Sequence, residues 1–401
     1  MPLKKFIKDL PIYKELYDSL KNKSLTEKDL KQLPELSKKE ISKNFPDNWM
    51  TSQLKKAIDE ENYEFMTTSG TTSERTQIIR PKNWWLGEDQ RIYNHINSEF
   101  PQYERMTSKA ILTTAICSNT MCYKETPPYE KRIVNGILHL NYTDNPNKWS
   151  KNDIKRMIDE INKFKPQCIQ ADPIYLSLFF KQIKQNKLKL PEWKPHLLIL
   201  TYEFVPKKCK TFIKQFWNIP TTILYGCTEF GGLFYQNNKE KIQIIDDLTF
   251  CNYISFKNKK SIYKLLITSF RNPFMPLINY NSNDLLSCEI NSNNQIIIKQ
   301  FMGRIQDTTI SNDNNILTLG ELDNYLSELE NNILIYTLDF TIPNKLFFKY
   351  LTFDDLPLLS LLNLKEKIEQ LYGENHSIEF IHERSINPAP SGKFEIIKKE
   401  K

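Results

Sequence analysis

Four short segments of this chain combine glycine with hydroxyl or charged side chains, a combination suited to binding phosphate groups. Glycine is scarce, with ten residues among 401. It is favoured where a turn needs positive φ or where a ligand approaches the backbone, so its position indicates special turns. The four segments hold six of the ten glycines and read TTSGTTSER (Thr67–Arg75), YGCTEFGG (Tyr225–Gly232), GRIQD (Gly303–Asp307) and PSGK (Pro390–Lys393).

The first segment has the chemistry of a phosphate-binding loop. Six of the seven residues from Thr67 to Ser73 are Ser or Thr, arranged around Gly70, and the segment follows a strand-like YEFM. Hydroxyl groups and exposed backbone amides satisfy phosphate oxygens. The pattern GxxxxGK[ST] is absent from the sequence, which excludes a Walker P-loop. A Ser/Thr-rich surface turn is the alternative interpretation.

The second segment places an aromatic ring, a hydroxyl and a carboxylate within five residues, at Tyr225, Thr228 and Glu229. It follows the strand-like TTILY, and ligands bind at the carboxyl ends of strands in open α/β sheets. A carboxylate beside polyphosphate would be repelled unless a cation lay between them. An ordinary turn with a solvated Glu is the alternative.

Composition narrows the class of protein. The net charge of +7 comes mostly from dispersed Lys, which disfavours nucleic-acid binding. The seven Cys include no CxxC pair, so neither a disulfide framework nor a zinc knuckle is indicated, and the five His are too dispersed for an HExxH site. The sequence contains no signal-like or membrane-spanning apolar stretch, so we expect a cytoplasmic protein.

Periodicity predicts an α/β fold. Capping patterns at Ser24–Glu27 and Ser37–Glu40 indicate helices in residues 1–60, and Ile154–Phe164 has apolar residues on one helical face after a Ser150–Asp153 cap. The strand-like segments His196–Thr201 and Thr221–Tyr225 bracket a helical segment. This is βαβ patterning, which implies a mostly parallel sheet.

The last quarter of the chain has a different pattern. A helical stretch near Glu321–Asn331 precedes the apolar strands LIYTLDF and LFFKYLTF, and a helix ending at Gly373 precedes SIEFI. We therefore expect a large N-terminal α/β domain, residues 1–304, and a small α+β C-terminal domain, residues 305–401.

The phosphate loop resembles the [ST]SG[ST]TGxPK segment of the adenylate-forming superfamily, which includes acyl- and aryl-CoA ligases. Thr68–Thr72 match that pattern residue for residue, whereas Ser73 replaces a Gly and Glu74-Arg75 replaces Pro-Lys. The resemblance implies that ATP phosphates bind Thr68, Ser69, Gly70, Thr71, Thr72 and Arg75.

The other segments follow the superfamily order. YGCTEFGG resembles its YGxTE, which implies that Tyr225 and Gly226 contact adenine, Thr228 binds the α-phosphate and Glu229 holds Mg²⁺. LLILTYEF resembles the segment that ends at a nucleotide-site Glu, here Glu203, with Tyr202 where a small residue is usual. Tyr202 would stack on the base or crowd it.

The resemblance implies roles for three more residues. Asp284 would accept the ribose hydroxyls and Arg304 of GRIQD would bind ribose and phosphate, with a hinge near Gln306 or Asp307. Lys393 of PSGK would enter the active site during adenylation, carried by a mobile C-terminal domain. The short length and the LPELSKKE segment are most similar to phenylacetate-CoA ligases.

The resemblance thus implies an enzyme that uses ATP and Mg²⁺ to activate a carboxylic acid as acyl-AMP and transfers the acyl group to a thiol. Lys393, Thr228 and Glu229 would be catalytic. An aryl acid is favoured, and the thiol would belong to CoA or to the phosphopantetheine of a carrier protein. Two alternatives are an acyl-protein synthetase, disfavoured because no Cys follows Cys288, and a non-catalytic nucleotide-binding scaffold. The sequence does not indicate an oligomeric state.

Overall fold

The structure is a computed structural model that describes residues 7–20, 29, 32–68, 76–99, 108–115, 126–245, 248–257, 259–329, 332–354 and 358–400. The α-helices of this part are α1 (Lys14–Leu20), α2 (Lys38–Ser42), α3 (Ser52–Asp59), α4 (Trp84–Glu99), α5 (Lys151–Phe164), α6 (Pro173–Gln185), α7 (Lys207–Phe216), α8 (Leu319–Ser327) and α9 (Leu358–Tyr372).

The strands, in chain order, are β1 (Tyr63–Thr67), β2 (Gln77–Pro81), β3 (Lys109–Leu112), β4 (Ile133–Val134), β5 (Ile137–His139), β6 (Cys168–Ala171), β7 (Leu197–Leu200), β8 (Thr221–Cys227), β9 (Gly231–Gln236), β10 (Ile242–Ile244), β11 (Thr249–Ser255), β12 (Ile262–Ser269), β13 (Leu277–Ile290), β14 (Ile296–Arg304), β15 (Thr309–Ile310), β16 (Ile316–Leu317), β17 (Ile333–Phe340), β18 (Lys345–Thr352), β19 (Ser377–His382) and β20 (Ile397–Lys399). Helix and strand together form a mixed α/β fold, as the periodicity predicts.

The chain divides into two compact units, and neither is continuous in sequence. The first unit comprises residues 1–99, 225–236 and 240–300, and the second comprises residues 100–224, 237–239 and 301–401. The predicted domain boundary after residue 304 and the mobility of the C-terminal region stay predictions.

The first unit contains a sheet of order β11-β12-β13-β14, in which β11, β12 and β13 pair antiparallel, and the antiparallel hairpins β1-β2 and β9-β10. Ser37 caps α2 in the capping box that its sequence predicts. Leu36, just before that helix, forms a parallel bridge with Tyr280 of β13. The start of α2 is thereby fixed against β13. The predicted cap at Ser24–Glu27 lies outside the described residues.

The second unit contains the predicted parallel sheet. Strands β5, β3, β6, β7 and the first half of β8 run parallel in that order. The prediction of a βαβ crossover is confirmed, because α7 lies between β7 and β8 in the chain. One sheet face packs on α5, α6 and α7 through a continuous apolar core, in which Phe180 stacks on Phe216 at 4.8 Å.

Helix boundaries in this unit follow local capping. Ser150 and Asp153 form the predicted capping box of α5, whose predicted apolar face of Ile and Met residues is buried. Helix α6 begins at Pro173, and the Asp172 carboxylate accepts hydrogen bonds from the backbone N–H groups of Ile174 (2.8 Å) and Tyr175 (3.2 Å). A buried Asp at this position satisfies helix amides that would otherwise lack partners.

The C-terminal part of the second unit matches its predicted pattern. Helix α8 is followed by the antiparallel pair β17-β18, then by α9 and β19, in a sheet of order β19-β18-β17-β20. This sheet and its helices share a separate apolar core. Among the described residues, no helix is both long and apolar enough to cross a bilayer.

Candidate active site

The predicted phosphate loop is described only at its base. Thr68 is buried, its backbone N–H donates to the Thr76 carbonyl (2.9 Å), and its hydroxyl accepts from the Thr76 N–H (3.0 Å). The antiparallel pairing of β1 and β2 ends at Thr67 and Gln77. The two bonds between Thr68 and Thr76 therefore join the strand ends one residue further on. The predicted phosphate-binding residues Ser69, Gly70, Thr71, Thr72 and Arg75 lie outside the described residues.

The first unit brings Tyr225 and Asp284 into direct contact. The Tyr225 hydroxyl donates to Asp284 Oδ2 at 2.6 Å and lies 3.5 Å from the Ser282 hydroxyl. Burial, together with the Asp284 charge, raises the pKa of Tyr225 well above its ordinary value. The phenol therefore stays protonated, and it orients one oxygen of a carboxylate that has further acceptor sites.

An irregularity in β13 aims Asp284. Between the pairs Leu266↔Asn281 and Lys264↔Leu285, β13 has four residue steps where β12 has two. Asn283 takes a φ of 63°, and the Asp284 N–H donates to the Ser282 hydroxyl at 3.3 Å. Bulges of this kind redirect a side chain and recur beside functional sites.

Glu229 is anchored on the same strand. Its Oε1 accepts from the Tyr280 hydroxyl at 2.8 Å and lies 3.5 Å from Lys38 Nζ. Burial opposes ionisation of Glu229, but Lys38 and the hydrogen bonds from the Cys227 thiol and Tyr280 outweigh it, so its pKa lies below the ordinary value. Glu229 is therefore a buried, ionised carboxylate. Since Tyr280 and Asp284 are both in β13, this strand contacts Glu229 and carries Asp284.

Glycines make the turn after β8 compact. A Cβ on Gly226 would overlap the Gly231 carbonyl oxygen and lie 2.8 Å from the Gly232 Cα. Gly231 has a φ of 81°, and a Cβ there would overlap the Glu88 carboxylate. Thr228 lies in the turn and is partly exposed. Gly226 is thus required by backbone contact, and Gly231 by its positive φ and by the adjacent Glu88 side chain.

A buried ion-pair network contacts the backbone that follows this turn. Glu88 of α4 accepts from Arg91 (2.6 Å) and from Arg271 (2.5 Å), and Arg91 also donates to the Gly232 carbonyl at 2.8 Å. Sequence reasoning missed this network, because its members are far apart in the chain and carry no local pattern. It also missed Lys38, whose relation to Glu229 depends on the Leu36–Tyr280 bridge.

The second unit places Lys393 against the residues that follow β7. Lys393 Nζ donates to the Tyr202 carbonyl at 3.1 Å. The Phe394 N–H donates to Glu203, at 2.9 Å from Oε1 and 3.2 Å from Oε2. Two residues predicted for the active site, Lys393 and Glu203, thus lie together. Arg304 also acts electrostatically on Glu203.

Two buried carboxyl groups, those of Asp172 and Glu203, interact electrostatically with Lys393. Burial, and then the charge of Asp172, raise the pKa of Glu203 well above its ordinary value, against the opposing effect of Lys393. Burial raises the pKa of Asp172 to about 7, and Lys393 opposes that shift. Lys393 is therefore the cation that offsets two closely placed acidic groups.

Tyr202 has an unusual backbone conformation that sets the direction of its carbonyl group. Its backbone has a φ of 79°, which is an outlier for a bulky residue. Its carbonyl accepts from Lys393, and its hydroxyl accepts from Gln170 Nε2 at 3.0 Å. The left-handed backbone therefore turns the Tyr202 carbonyl toward the lysine. Whether the ring contacts a base stays a prediction.

The residues of the first unit fit a Mg²⁺ ion bound chiefly by phosphate. Among the described residues, no group of three or more His, Cys, Asp or Glu could hold a metal ion. Mg²⁺ is commonly held by one or two carboxylates together with substrate phosphates and water. Glu229 is ionised and buried, which suits that arrangement, and Lys38 supplies positive charge to it in this structure.

No protein-family model matches this chain. Protein CapK of Staphylococcus aureus is 22% identical over 397 residues, covering 96% of this chain and 84% of CapK.

Solved structures give a clearer result for the fold. 2-Hydroxyisobutyryl-CoA ligase, in the postadenylation state with 2-HIB-AMP, has a TM-score of 0.71 at 12% identity, covering 100% of this chain and 87% of the ligase. The same ligase in the thioesterification state with 2-HIB-AMP and CoA has a TM-score of 0.56 at 12% identity, covering 99% and 88%.

The amide bond synthetase McbA from Marinactinospora thermotolerans has a TM-score of 0.52 at 9% identity, covering 83% of this chain and 67% of McbA. The matches at these identities establish a shared fold. The chain therefore has the fold of these enzymes, a mixed α/β fold as the sequence predicts.

Proposed function

We propose that this protein is an ATP-dependent ligase that activates a carboxylic acid as acyl-AMP and then transfers the acyl group to a thiol. In the first step a carboxylate oxygen bonds to the α-phosphorus, and the bond from that phosphorus to the bridging oxygen breaks, releasing pyrophosphate. In the second step the thiolate sulfur bonds to the acyl carbon and AMP leaves, while the thiol proton passes to solvent.

One observation supports the proposal most: in a chain with this fold, Tyr225 and Glu229 each contact β13, Tyr225 through Asp284 and Glu229 through Tyr280. Asp284 accepts from the Tyr225 hydroxyl, and a ribose diol offers two donors to a carboxylate. Tyr225 offers a ring to the base, backed by Phe234 at 5.7 Å and by Phe230 at 6.3 Å. Thr228 would bind the α-phosphate from the same turn.

Glu229 would hold the Mg²⁺ ion, which when bound offsets the charge of the polyphosphate. The phosphate loop, with Ser69 to Thr72 and Arg75, would bind the phosphates that leave as pyrophosphate. Arg304 would contact ribose and phosphate. The Glu203 role in nucleotide binding, also predicted from sequence, would have to coexist with its bond to Phe394.

Lys393 would stabilise the charge that develops as the carboxylate attacks the α-phosphorus. Among the described residues its ammonium donates to the Tyr202 carbonyl, and a substrate anion would compete for the same group. A fixed cation aimed at developing charge is an effective form of catalysis. Withdrawal of Lys393 by a moving C-terminal region would then admit the thiol.

The proposal also includes a class of acid and a thiol acceptor. The acid is an aryl acid, and the acceptor is CoA or the phosphopantetheine of a carrier protein. We favour a relation to the phenylacetate-CoA ligases, on the basis of the LPELSKKE segment and the short chain. The structural match to an acid–CoA ligase supports CoA as the first acceptor to test.

An exchange experiment tests the function. Radioactive pyrophosphate should enter ATP only when a suitable acid from an aryl and fatty acid panel is present. Acid-dependent exchange followed by CoA thioester formation supports the proposal. Exchange followed by a stable acyl-enzyme would support an acyl-protein synthetase instead. ATP binding without exchange for any acid would support a non-catalytic scaffold.

Substitution Tyr225→Phe should weaken ATP binding about 3- to 10-fold, because it removes the hydroxyl that orients Asp284, a bond of about 1 kcal/mol. Isothermal titration calorimetry with ATP measures the change in Kd. Tyr263→Phe, on β12 of the same unit, is the control and should leave Kd unchanged. Equal Kd values for Tyr225→Phe and wild type would argue against a ribose role for Asp284.

A further inference from the structure

The turn that carries Lys393 has its own internal structure. The Ala389 N–H donates to the Lys393 carbonyl at 2.7 Å, and the Gly392 N–H donates to the Ala389 carbonyl at 2.8 Å. Gly392 has a φ of 77°. We call residues Ala389–Phe394 the lysine turn. Two backbone hydrogen bonds within the turn hold its shape. A few contacts at the surface of the turn therefore suffice to fix the position of the ammonium.

Residues of the second unit outside the C-terminal region provide those contacts. The Tyr175 hydroxyl donates to the Gly392 carbonyl at 2.9 Å, and its ring meets the Phe394 ring edge to face at 5.9 Å. Gly392 lies so close to Thr114 that a Cβ would overlap its side chain. The lysine turn is therefore packed against Tyr175 and Thr114, in addition to the hydrogen bond that Lys393 makes.

Glu203 and Tyr202 make the polar part of that surface. Both oxygens of the Glu203 carboxylate lie within hydrogen-bond distance of the Phe394 N–H. The Tyr202 carbonyl, turned by a left-handed backbone, receives Lys393 Nζ. The charge of Asp172, which is buried at the start of α6, also favours the ammonium. Glu203 therefore binds the backbone of the turn, while Tyr202 binds its functional group.

We propose that Glu203 and Tyr202 are positioning residues that dock the lysine turn and thereby set the position of Lys393. This assigns Glu203 to the lysine turn, whereas the sequence resemblance implies a role for Glu203 at the nucleotide. The catalytic consequence rests on the proposed function, whereas docking of the turn can be measured without any substrate.

Amide hydrogen exchange of the Phe394 N–H measures docking directly. Glu203→Ala removes the acceptor, and we expect the protection of that amide to fall at least 10-fold. Glu203→Gln keeps a side-chain carbonyl acceptor of the same size and should retain more protection than Glu203→Ala. Glu192→Gln, at an exposed position of the same unit, is the control and should change nothing.

A kinetic comparison separates the two roles of Glu203. As a docking residue, its replacement should lower kcat of acid-dependent pyrophosphate exchange about 10-fold with little change in KM for ATP. It should also spare thioester formation from supplied acyl-AMP. A nucleotide contact would instead raise KM for ATP. Far-UV circular dichroism and unfolding midpoints confirm that the variants are folded.

The outcomes distinguish this inference from the proposed function. Loss of Phe394 protection in Glu203→Ala supports docking even if the wild-type protein shows no exchange with any acid, in which case the proposed function fails alone. Unchanged protection in both Glu203 variants overturns the inference, whatever the activity. A raised KM for ATP with intact protection also overturns it and assigns Glu203 to the nucleotide.

Discussion

Replacing Lys393 with alanine should lower the rate of acyl-AMP formation about 10²- to 10³-fold, the usual effect of losing one fixed group that stabilises developing charge. The same variant should form thioester from supplied acyl-AMP at a rate within a few-fold of wild type. The reason is that the proposed second step occurs after the lysine turn has left the site. Pyrophosphate exchange and a thioester assay measure the two steps separately.

Lys398→Ala is the matched control for this prediction. Lys398 lies in β20, a few residues beyond the lysine turn, where it pairs in register with Asp339 of β17. Lys398→Ala removes one positive charge, as Lys393→Ala does, but the proposal gives Lys398 no role at Tyr202 or Glu203. Both half-reactions should therefore be unaffected. Equal loss of the two half-reactions in Lys393→Ala would contradict a lysine that acts in only one of them.

Substitution Gly226→Ala should disable the first-unit site and destabilise the unit. The added Cβ would overlap the Gly231 carbonyl and press on the Gly232 backbone, which has no flexible side chain to move. Such overpacking costs about 1–3 kcal/mol in the free energy of unfolding. Because Tyr225 and Glu229 flank Gly226, we expect exchange activity to fall by about 10²-fold, as a displacement of about 1 Å can cause.

Gly87→Ala tests the same chemical change where space is available. Gly87 lies in α4 of the same unit, and a Cβ there would meet no atom within 4 Å. Alanine is favoured over glycine in a helix by about 1 kcal/mol, so this variant should be slightly more stable and fully active. Urea unfolding and pyrophosphate exchange compare the two. Wild-type activity in Gly226→Ala would contradict the importance of the compact turn.

The elements around the site were predictable where the signal is local. The Ser37 and Ser150 capping boxes predicted the starts of α2 and α5, because a cap and its partner are three residues apart. The alternation of apolar strands and helices predicted the parallel pairing of β7 and β8. The C-terminal strands and helices were predicted in the correct order for the same reason.

The features that were not predictable depend on contacts between distant segments. The extra residues in β13 that aim Asp284 become visible only when β12 provides a register. Lys38 approaches Glu229 because Leu36 bridges to Tyr280. The φ of Tyr202 is not readable from its residue type, since a bulky side chain predicts the opposite. The interleaved composition of the two units likewise depends on long-range packing.

The fate of one oxygen atom tests the central claim most directly. An acid that supports exchange is prepared with ¹⁸O in its carboxylate and incubated with the protein, ATP, Mg²⁺ and CoA, and the products are analysed by mass spectrometry. Attack of that carboxylate on the α-phosphorus predicts that one ¹⁸O atom appears in AMP, with unlabelled pyrophosphate. Label in ADP or inorganic phosphate, or AMP without label, would contradict the formation of an acyl-adenylate.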